Sequence, residues 1–474
     1  MKVLLIHPPL SGKERYGDLA AAGAYWPPLG LCYIAAMLEK EGINVKIIDG
    51  LNLNITSEEI VKNIADYNPD IIGFTSVTIG HHRTIECANL IKRAYPNIPI
   101  IIGGPHVTFS PKDTLKDECF DIGVIGEGEY TMMELASALK NKTSLAKIQG
   151  IVYRGQGIVK MTEKRPYIEN LDELPLPARH LLDMNIYHTH ILAHQKRKSA
   201  SLITSRGCPF NCIFCNRMFG KKFRAHSAEY VVKEIDELVN KYGIEEIEIK
   251  DDNFTADPKR VTDICNLLIK RHYNLIWSCE ARVDIASEEL FTLMKKAGCW
   301  MIQIGVETGD EGVMKAIHKG ITLDQVRTAV RLATKVGIKV KGFFMIGHHV
   351  DTKETINKTI KFAKSLGLHA ANFTIAVPLE GSELFSIMHK YGTFDGNMRQ
   401  LTVHTDNPPF VPFGLTKEYL TKMRRKAYIE FYTSPKTLLN LTKSIHSVYD
   451  VQRYFIGFKI LLKLIKKICL KNED

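Results

Sequence analysis

Short apolar segments alternate with amphipathic segments along most of this chain, in two separate blocks. The first block holds five apolar segments: 3–7, 45–49, 70–76, 98–104 and 121–126. Helical periodicity fills the intervals between them, as in 29–41 and 82–94. Because parallel strands need crossover connections, the alternation predicts a doubly wound, flavodoxin-like α/β sheet over residues 1–140.

The second block repeats the pattern six times. Its apolar segments are 201–205, 244–250, 275–281, 300–307, 340–347 and 370–376, with helical segments such as 227–241, 259–271 and 323–335 between them. Six such units predict a partial (β/α)6 barrel of the TIM type over residues 191–395, with its chemistry at the carboxyl ends of the strands. Residues 141–190 are expected to form a hairpin and a linker, and residues 396–474 a helical C-terminal extension.

Composition and net charge indicate which kind of protein this is and which partners it is expected to have. Hydrophobic residues make up 45% of the chain and charged residues 24%, as is typical of globular proteins. The net charge is +11, but outside the C-terminal helix no basic block is interleaved with aromatic residues, so nucleic acid is not an expected partner. The apolar run at the N-terminus leads into Pro8 and Pro9 and is too short for a signal peptide. We therefore expect a cytoplasmic protein with reduced thiols.

Three of the ten cysteines are clustered, in the segment Cys208-Pro-Phe-Asn-Cys212-Ile-Phe-Cys215. In a reducing compartment such clustering indicates a metal centre. Cubane iron–sulfur clusters normally take four cysteine ligands, so three would leave one iron open to another molecule. The alternative is a tetrahedral zinc site, for which His226 is the nearest candidate fourth ligand.

The spacing C-x3-C-x2-C resembles that of the radical S-adenosylmethionine (SAM) superfamily, and the resemblance covers about residues 195–395. Neighbouring segments are also similar to the family, including the acidic string that begins at Asp251. The resemblance implies that SAM is contacted by residues at the strand ends: Phe214, Asp252, Arg282, Glu307 and Gly309. Arg282 and Glu307 have an alternative interpretation as plain ion pairs at the barrel rim. After the fifth strand, His348-His349-Val350 replaces the family's Gly-Leu-Pro-Gly-like turn.

The family resemblance also implies a reaction. The open iron of a [4Fe-4S] cluster would hold SAM, and an electron from an external flavodoxin- or ferredoxin-type donor would cleave it to methionine and a 5′-deoxyadenosyl radical. The protein would bind and orient these cofactors and would exclude water and oxygen from them.

The first block ends its strands in Gly-rich loops, where backbone N–H groups can approach a phosphate or a flat cofactor. An N-terminal domain of this kind before a radical SAM barrel resembles the cobalamin-dependent class, which includes methyltransferases and a ring-forming enzyme of bacteriochlorophyll biosynthesis. The implied cobalamin contacts are Thr75, Ser76, Gly103, Gly104 and Glu127.

One departure concerns the lower axial histidine that many cobalamin domains supply. The nearest string, Asp18-Leu-Ala-Ala-Ala-Gly23, has Ala20 at the histidine position. Either cobalt is bound without a protein histidine or the domain has lost the cofactor. Four histidines near the strand ends are candidate contacts to the corrin or substrate, with solvated loop histidines as the alternative interpretation: His7, His81, His82 and His106.

Residues 417–432 and 450–470 predict two C-terminal helices. In the second, a narrow stripe of lysines (Lys459, Lys463, Lys466, Lys467 and Lys471) interrupts an otherwise apolar surface. The lysines exclude a membrane span, but residues 450–471 are suited to peripheral contact with an anionic membrane. A helix docked on the barrel explains the pattern equally well.

The leading functional hypothesis is a cobalamin-dependent radical SAM methyltransferase acting on an unactivated carbon of a small-molecule or lipid-linked substrate. One alternative uses the same cofactors for cyclisation, ring contraction or rearrangement. A second alternative is a non-catalytic cobalamin or redox sensor. The sequence does not identify the substrate, because the matching motifs are those that hold cofactors.

Overall fold

The computed structural model describes residues 1–155, 157–188, 195–196, 198–396, 398, 401–402, 404–445 and 448–469. They form two compact units. The first unit contains Met1–Arg15, Tyr25–Tyr187 and Met398, and the second contains Tyr16–Ala24 together with the described residues of 188–396 and 401–469.

The first unit is built on a seven-stranded sheet. Its strands are β1 (Lys2–His7), β2 (Asn44–Asp49), β3 (Ile71–Thr75), β4 (Ile100–Gly103), β5 (Ile122–Val124), β6 (Ile151–Gly155) and β7 (Ile158–Met161). The spatial order is β2-β1-β3-β4-β5-β6-β7, in which the first five strands are parallel. This is the flavodoxin-like order that the alternation predicted. The predicted hairpin is also present as β6 and β7, and it extends the sheet by antiparallel pairing with β5.

Helices cover both faces of this sheet, which explains why its strands are apolar without alternation. Val3 and Leu5 of β1 belong to one core cluster, and Leu4 and Ile6 belong to the cluster on the other face. The helices that begin in this part of the chain are α1 (Gly12–Tyr16), α2 (Leu29–Lys40), α3 (Gly50–Leu53), α4 (Ser57–Tyr67), α5 (His81–Ala94), α6 (Pro105–Phe109), α7 (Pro111–Thr114) and α8 (Glu129–Asn141).

The second unit contains the six-stranded parallel half-barrel that the second block predicted. Its strands are β8 (Ser199–Leu202), β11 (Glu246–Ile249), β12 (Ile276–Ala281), β13 (Cys299–Glu307), β14 (Lys339–Ile346) and β15 (Ala370–Ile375). The unit also contains two short antiparallel pairs, which are β9 (Ser205–Arg206) with β10 (Arg224–Ala225), and β16 (Gly392–Phe394) with β17 (Phe410–Pro412). The six strands lie in chain order from β8 to β15. Each strand-helix unit therefore adds one strand beside the last, as in the TIM topology.

The helices of the second unit are α9 (Ala228–Tyr242), α10 (Pro258–Arg271), α11 (Glu288–Lys296), α12 (Glu311–Ala316), α13 (Leu323–Lys335), α14 (Lys353–Ser365), α15 (Glu383–Ile387), α16 (Lys417–Tyr432), α17 (Pro435–Thr442) and α18 (Val448–Cys469). Five of them (α9, α10, α13, α16 and α18) match the predicted segments to within two residues. Of the lysine stripe, Lys471 lies outside the described residues. In the part of the chain that the structure describes, no helix is both long enough and apolar enough to cross a membrane.

Helix α16 covers the outer edge of strand β15. The hydroxyl of Tyr432 accepts the Ala371 N–H at 3.2 Å and donates to the Ala371 carbonyl at 3.0 Å. The hydroxyl of Tyr428 accepts the Phe373 N–H at 3.1 Å. Two tyrosines thus satisfy backbone groups that an edge strand would otherwise leave unpaired.

The inner face of the half-barrel, opposite the helices, carries buried charges. Lys250 lies 3.0 Å from Glu248 and 3.4 Å from Glu280. Gln303 donates to Glu248 at 2.8 Å, and Lys341 is the cross-strand neighbour of Gln303. Burial alone would raise the pKa of Glu248, but the charges of Lys250 and Lys341 hold it below its ordinary value.

A pH dependence of stability follows from Lys341. Burial lowers the pKa of Lys341 to about 8, from 10.5 in an unfolded chain. Between these pH values the unfolded state binds more protons, so this group makes the protein more stable as pH rises. We expect Lys341→Met to have a higher melting temperature than wild type at pH 7, with the difference shrinking toward pH 10. Parallel melting curves for the two proteins across this range would contradict the assignment.

Candidate active site and cofactor-binding loops

The three clustered cysteines lie on a loop that leaves the first strand of the half-barrel. Strands β9 and β10 close the base of this loop. Gly207, directly before Cys208, has a φ of +87°, and a Cβ there would lie 2.3 Å from the carbonyl oxygen of Lys222. The Cys208 N–H donates to Gly220 at 3.2 Å. Only glycine therefore fits where the chain turns into the cysteine segment.

Further backbone bonds hold the loop against the half-barrel. The Ile213 N–H donates to the Ile317 carbonyl at 3.1 Å, and the Ile213 carbonyl accepts the Leu384 N–H at 2.8 Å. The side chains of these three residues form a small core, against which Phe214 packs. The loop is thus positioned by the regions after β13 and β15 rather than by its own sequence.

The thiols differ in environment. Cys212 is buried, Cys208 is half-buried and Cys215 is exposed. A hydrogen bond with Cys215 and the charge of Lys319 lower the pKa of the Cys212 thiol to about 6, whereas the same hydrogen bond and burial raise the pKa of Cys215. Because the thiolate is the form that binds metals, a lowered pKa at Cys212 suits a ligand.

The donor set fits an iron–sulfur cluster better than a single ion. Among the described residues, no three His, Cys, Asp or Glu side chains converge as one bound metal ion requires. The thiolates of a cubane cluster bind different iron atoms, so three thiols spread along one loop match that demand. His226, the candidate fourth zinc ligand, instead stacks on Tyr230 with ring centroids 3.8 Å apart.

Two of the residues predicted to contact SAM form ion pairs at the strand ends, as the alternative interpretation of each allowed. Arg282 lies 2.9 Å from Asp284 and stacks on Phe210, 3.4 Å from the ring centroid. Glu307 lies 2.9 Å from Lys319. Phe210 belongs to the cysteine loop, so Arg282 ties that loop to the end of β12.

Glu307 has an unusual backbone. Its φ is +67°, and the pairing of β13 with β14 shifts register just before it. A non-glycine residue in this region costs about 1–3 kcal/mol and persists only where its surroundings hold it. The ion pair with Lys319 supplies such a restraint. Lys319 in turn lies 5.9 Å from the ring centroid of Phe214.

The other predicted contacts lie near this group or in its supports. Asp252 is exposed, while its neighbour Asp251 is buried and accepts hydrogen bonds from Thr204 and Ser205 at 2.6 Å. The Gly309 N–H donates to Thr359 at 2.9 Å. Asp251 therefore braces the loop, whereas Asp252 remains accessible.

Sequence reasoning missed Lys319 and noticed His348 only as a departure from the family pattern. His348 is fully buried, and its ring centroid lies 5.8 Å from that of Phe214. Neither ring nitrogen makes a hydrogen bond of normal geometry, and burial lowers its pKa to about 3. A neutral imidazole thus lies beside the aromatic ring of the cysteine loop. Lys319 carries no sequence signal, because it follows α12 in a segment that matches no motif.

In the first unit, the loops after β3 and β4 meet. The Ser76 N–H donates to Gly103 at 2.9 Å, and the Ser76 hydroxyl lies 2.9 Å from Nδ1 of His81. The rings of His81 and His106 are 3.8 Å apart. Both histidines are half-buried, and burial lowers the pKa of His106 to about 4. The predicted loop residues Thr75, Ser76, Gly103 and Gly104 therefore form one surface.

The loops after β1 and β2 form a second connected group. Asp49 is buried and lies 2.8 Å from both Nδ1 of His7 and the hydroxyl of Tyr187. Burial opposes ionisation of Asp49, but the hydrogen bond and charge of His7 keep its pKa lowered. Glu127, a predicted cofactor contact, is buried and accepts the Ile168 N–H at 2.7 Å. Its carboxylate thus holds the linker segment.

Gly104 gives a test of the loop surface. Its φ is +98°, and a Cβ would lie 2.7 Å from the Ser76 carbonyl oxygen. We expect Gly104→Ala to separate the two loops and to weaken cobalamin retention by at least about tenfold, or about 1.4 kcal/mol. The measurement is the absorbance of cobalamin that remains bound after gel filtration. Gly42→Ala is the matched control, because Gly42 also has positive φ but open space around its Cβ; equal retention by all three proteins would contradict the expectation.

Comparisons with known proteins identify a domain in each half of the chain. Residues 17–136 match the model of the B12 binding domain, and residues 202–363 match that of the radical SAM superfamily. The chain is 38% identical to an uncharacterized methyltransferase of Pyrococcus horikoshii, over 93% of this chain and 94% of that protein. It is 30% identical to the anaerobic magnesium-protoporphyrin IX monomethyl ester cyclase of Rubrivivax gelatinosus, over 81% of this chain and 69% of that protein.

Solved structures confirm the fold. The cobalamin-dependent SAM radical enzyme OxsB, with aqua-cobalamin and SAM bound, superposes with a TM-score of 0.76 at 19% identity, covering 98% of this chain and 72% of that one. The radical SAM methyltransferase TsrM from Kitasatospora setae, with cobalamin and a [4Fe-4S] cluster bound, gives 0.70 at 16% identity and covers 99% of both chains. With the three-thiol loop on a half-barrel and both domain models matched, this chain belongs to the radical SAM enzymes that carry an N-terminal B12-binding domain and use a [4Fe-4S] cluster, SAM and cobalamin.

Proposed function

We propose that this enzyme transfers a methyl group from SAM, by way of cobalamin, to an unactivated carbon of its substrate. The observation that carries the proposal is the similarity to a methyltransferase over nearly the whole length of both chains. The loop with three thiols supports it, because a cluster held there keeps one iron for SAM. When bound, these cofactors supply a 5′-deoxyadenosyl radical and a transferable methyl group.

The residues of this chain bind and orient the cluster and SAM. Cys208, Cys212 and Cys215 hold the cluster, and the strand-end residues Phe214, Asp252, Arg282, Glu307 and Gly309 contact SAM. Glu307 and Lys319 form a buried ion pair beside the cysteine loop, which sets the charge around it. Burial alone would lower the pKa of Lys319, but Glu307 and Cys212 hold it above its ordinary value, so Lys319 stays protonated and favours the thiolate form of Cys212.

In the first unit, Thr75, Ser76, Gly103, Gly104 and Glu127 form or support the cobalamin surface. The missing side chain of Gly104 lets the loops after β3 and β4 approach each other closely, and this contact shapes the surface. The substrate is a small molecule or a lipid-linked molecule, and a flavodoxin- or ferredoxin-type protein in the cytoplasm supplies electrons. The domain boundaries that go with these roles are 1–140, 141–190, 191–395 and 396–474.

Ring formation is the second candidate function, and the similarity to a monomethyl ester cyclase over 81% of this chain favours it. The two candidates differ in the products of SAM. Methyl transfer through cobalamin releases S-adenosylhomocysteine when cobalamin is remethylated, whereas ring formation without methyl transfer releases 5′-deoxyadenosine as the product of SAM.

The test needs no identified substrate. The protein is reconstituted anaerobically with iron, sulfide and cobalamin, and SAM and a reductant are added. Methyl transfer predicts S-adenosylhomocysteine in an amount comparable to the bound cobalamin, and none when cobalamin is omitted. If only 5′-deoxyadenosine forms, ring formation or rearrangement replaces methyl transfer. If neither product forms at full iron load, a sensor that never cleaves SAM is the remaining hypothesis.

A further inference from the structure

The C-terminal helices present an apolar stripe to solvent. Val451, Phe455, Phe458 and Leu462 of α18 follow one another at helical spacing, and each is between 42% and 56% exposed. Leu438 and Leu439 of α17, with Ile445, are exposed as well. Seven of the twelve large apolar side chains that are exposed among the described residues thus belong to residues 438–462. Such concentration marks an interaction surface rather than scattered exposure.

The opposite face of α18 is already occupied. Leu464 is 3% exposed, and Arg453 is buried and pairs with Asp450 at 2.8 Å. Leu464 shares a small cavity with Leu19 and with His404, Arg424, Arg425 and Tyr428, so α18 packs on α16 and on the segment that contains Leu19. The opposite face of α18 thus packs on the rest of the unit, whereas the apolar stripe is left exposed by the residues that the structure describes.

Lysines flank the stripe. Lys459, Lys463 and Lys466 are exposed and lie beside the apolar side chains on the helix surface, and the Lys459 ammonium lies 4.5 Å from the ring centroid of Phe455. Residues 435–469 contain seven Lys and Arg but one acidic residue, Asp450. They contribute a net charge of 7 − 1 = +6 to the total of +11. The surface is thus both apolar and cationic.

We propose that the exposed face of α18 binds the surface of an anionic lipid bilayer, with the apolar stripe at the acyl boundary and the lysines at the headgroups. A helix with apolar and lysine-rich surfaces side by side is suited to lie in the plane of a membrane interface. A second copy of the chain fits less well, since it would bring the two lysine rows together. Nucleic acid offers no counterpart to the exposed Phe and Leu side chains. The proposal does not depend on the reaction catalysed.

The experiment is flotation of the full-length, cluster-loaded protein with vesicles of phosphatidylcholine alone or mixed in equal amounts with phosphatidylglycerol. We expect binding to the mixed vesicles only, weakening as salt is raised. Phe455→Ser/Phe458→Ser and, separately, Lys459→Glu/Lys463→Glu/Lys466→Glu should each reduce the bound fraction by at least about tenfold. All five side chains are exposed, so the variants should keep the wild-type melting temperature and iron content.

Matched controls lie in the first unit. Ile158→Ser/Met161→Ser removes exposed apolar surface, and Lys40→Glu/Lys142→Glu/Lys147→Glu reverses three exposed charges; both should bind as wild type does. The proposal is overturned if wild type binds neither kind of vesicle, or if the phenylalanine variant binds as tightly as wild type. A dimer in gel filtration that the phenylalanine variant abolishes, without vesicle binding, would assign the face to a second copy instead.

Discussion

A Cys212→Ala variant should lose its cluster and form 5′-deoxyadenosine more than about a hundredfold more slowly than wild type, because even residues that only support a metal ligand affect activity by about 10–100-fold. Cys212 is the buried member of the three thiols, and it alone has a lowered pKa. Its removal leaves two ligands, one of them exposed. The measurements are iron and sulfide per chain after anaerobic reconstitution, and 5′-deoxyadenosine formed from SAM with a reductant.

The control is Cys119→Ala in the first unit. Cys119 is also buried, but it lies in the apolar core of the flavodoxin-like sheet, so its loss should leave iron content and SAM cleavage unchanged. Equal iron content in wild type and Cys212→Ala would show that the three-cysteine loop does not hold the cluster. Full loss of iron in both variants would indicate misfolding rather than loss of a ligand.

A Glu248→Met variant should be destabilised by about 3–5 kcal/mol, the cost of leaving buried charges without their partner. Glu248 neutralises the charges of Lys250 and Lys341 on the inner face of the half-barrel, and it accepts a hydrogen bond from Gln303. Lys250 keeps Glu280 as a partner in the variant, whereas no carboxylate among the described residues lies at ion-pair distance from Lys341. The measurement is the free energy of unfolding in urea at pH 7.

The double variant Glu248→Met/Lys341→Met separates charge from packing. Replacing both members of a buried charge pair by apolar residues is often neutral, so the double variant should regain most of the stability that Glu248→Met loses. If the two variants are equally unstable, the loss comes from packing around residue 248 and not from an uncompensated charge. A single variant within about 1 kcal/mol of wild type would show that water already reaches this face.

Local pattern was sufficient to predict the central strands of both sheets and several of the longer helices. The segment 417–432, for example, became α16 with the same bounds, because its periodicity and its Thr416 cap are local properties. The three-cysteine loop was equally visible, since all its candidate ligands lie within eight residues. Interactions between distant segments were not visible. Lys319 reaches Glu307 only because the turn after α12 folds back beside β13. No pattern of residue spacing in the sequence predicts this contact.

The dependence on contacts between distant segments also explains two smaller differences between the predicted and the observed structure. Strand order in the first unit followed from the pattern, but the attachment of the hairpin to β5 depends on which edge remains free. The string around Ala20 resembles only a cofactor motif in sequence, whereas the structure places Tyr16–Ala24 in the second unit, with Gly17–Ala22 as a 3-10 helix. The tertiary contacts of a short segment of small residues are not encoded in its local pattern.

The two tyrosine hydroxyls of α16 that bond to β15 also prevent further strands from pairing with this edge of the half-barrel. An uncovered edge of a parallel sheet is a template for another strand, either from the same chain or from a neighbouring molecule. Side-chain hydroxyls that bond to the N–H and the carbonyl of Ala371 and to the N–H of Phe373 block that template. The sheet therefore cannot grow toward a closed eight-stranded barrel at this side, nor can it recruit strands during folding at high protein concentration. A protein with a permanently open barrel thus gains resistance to aggregation from a helix rather than from closure.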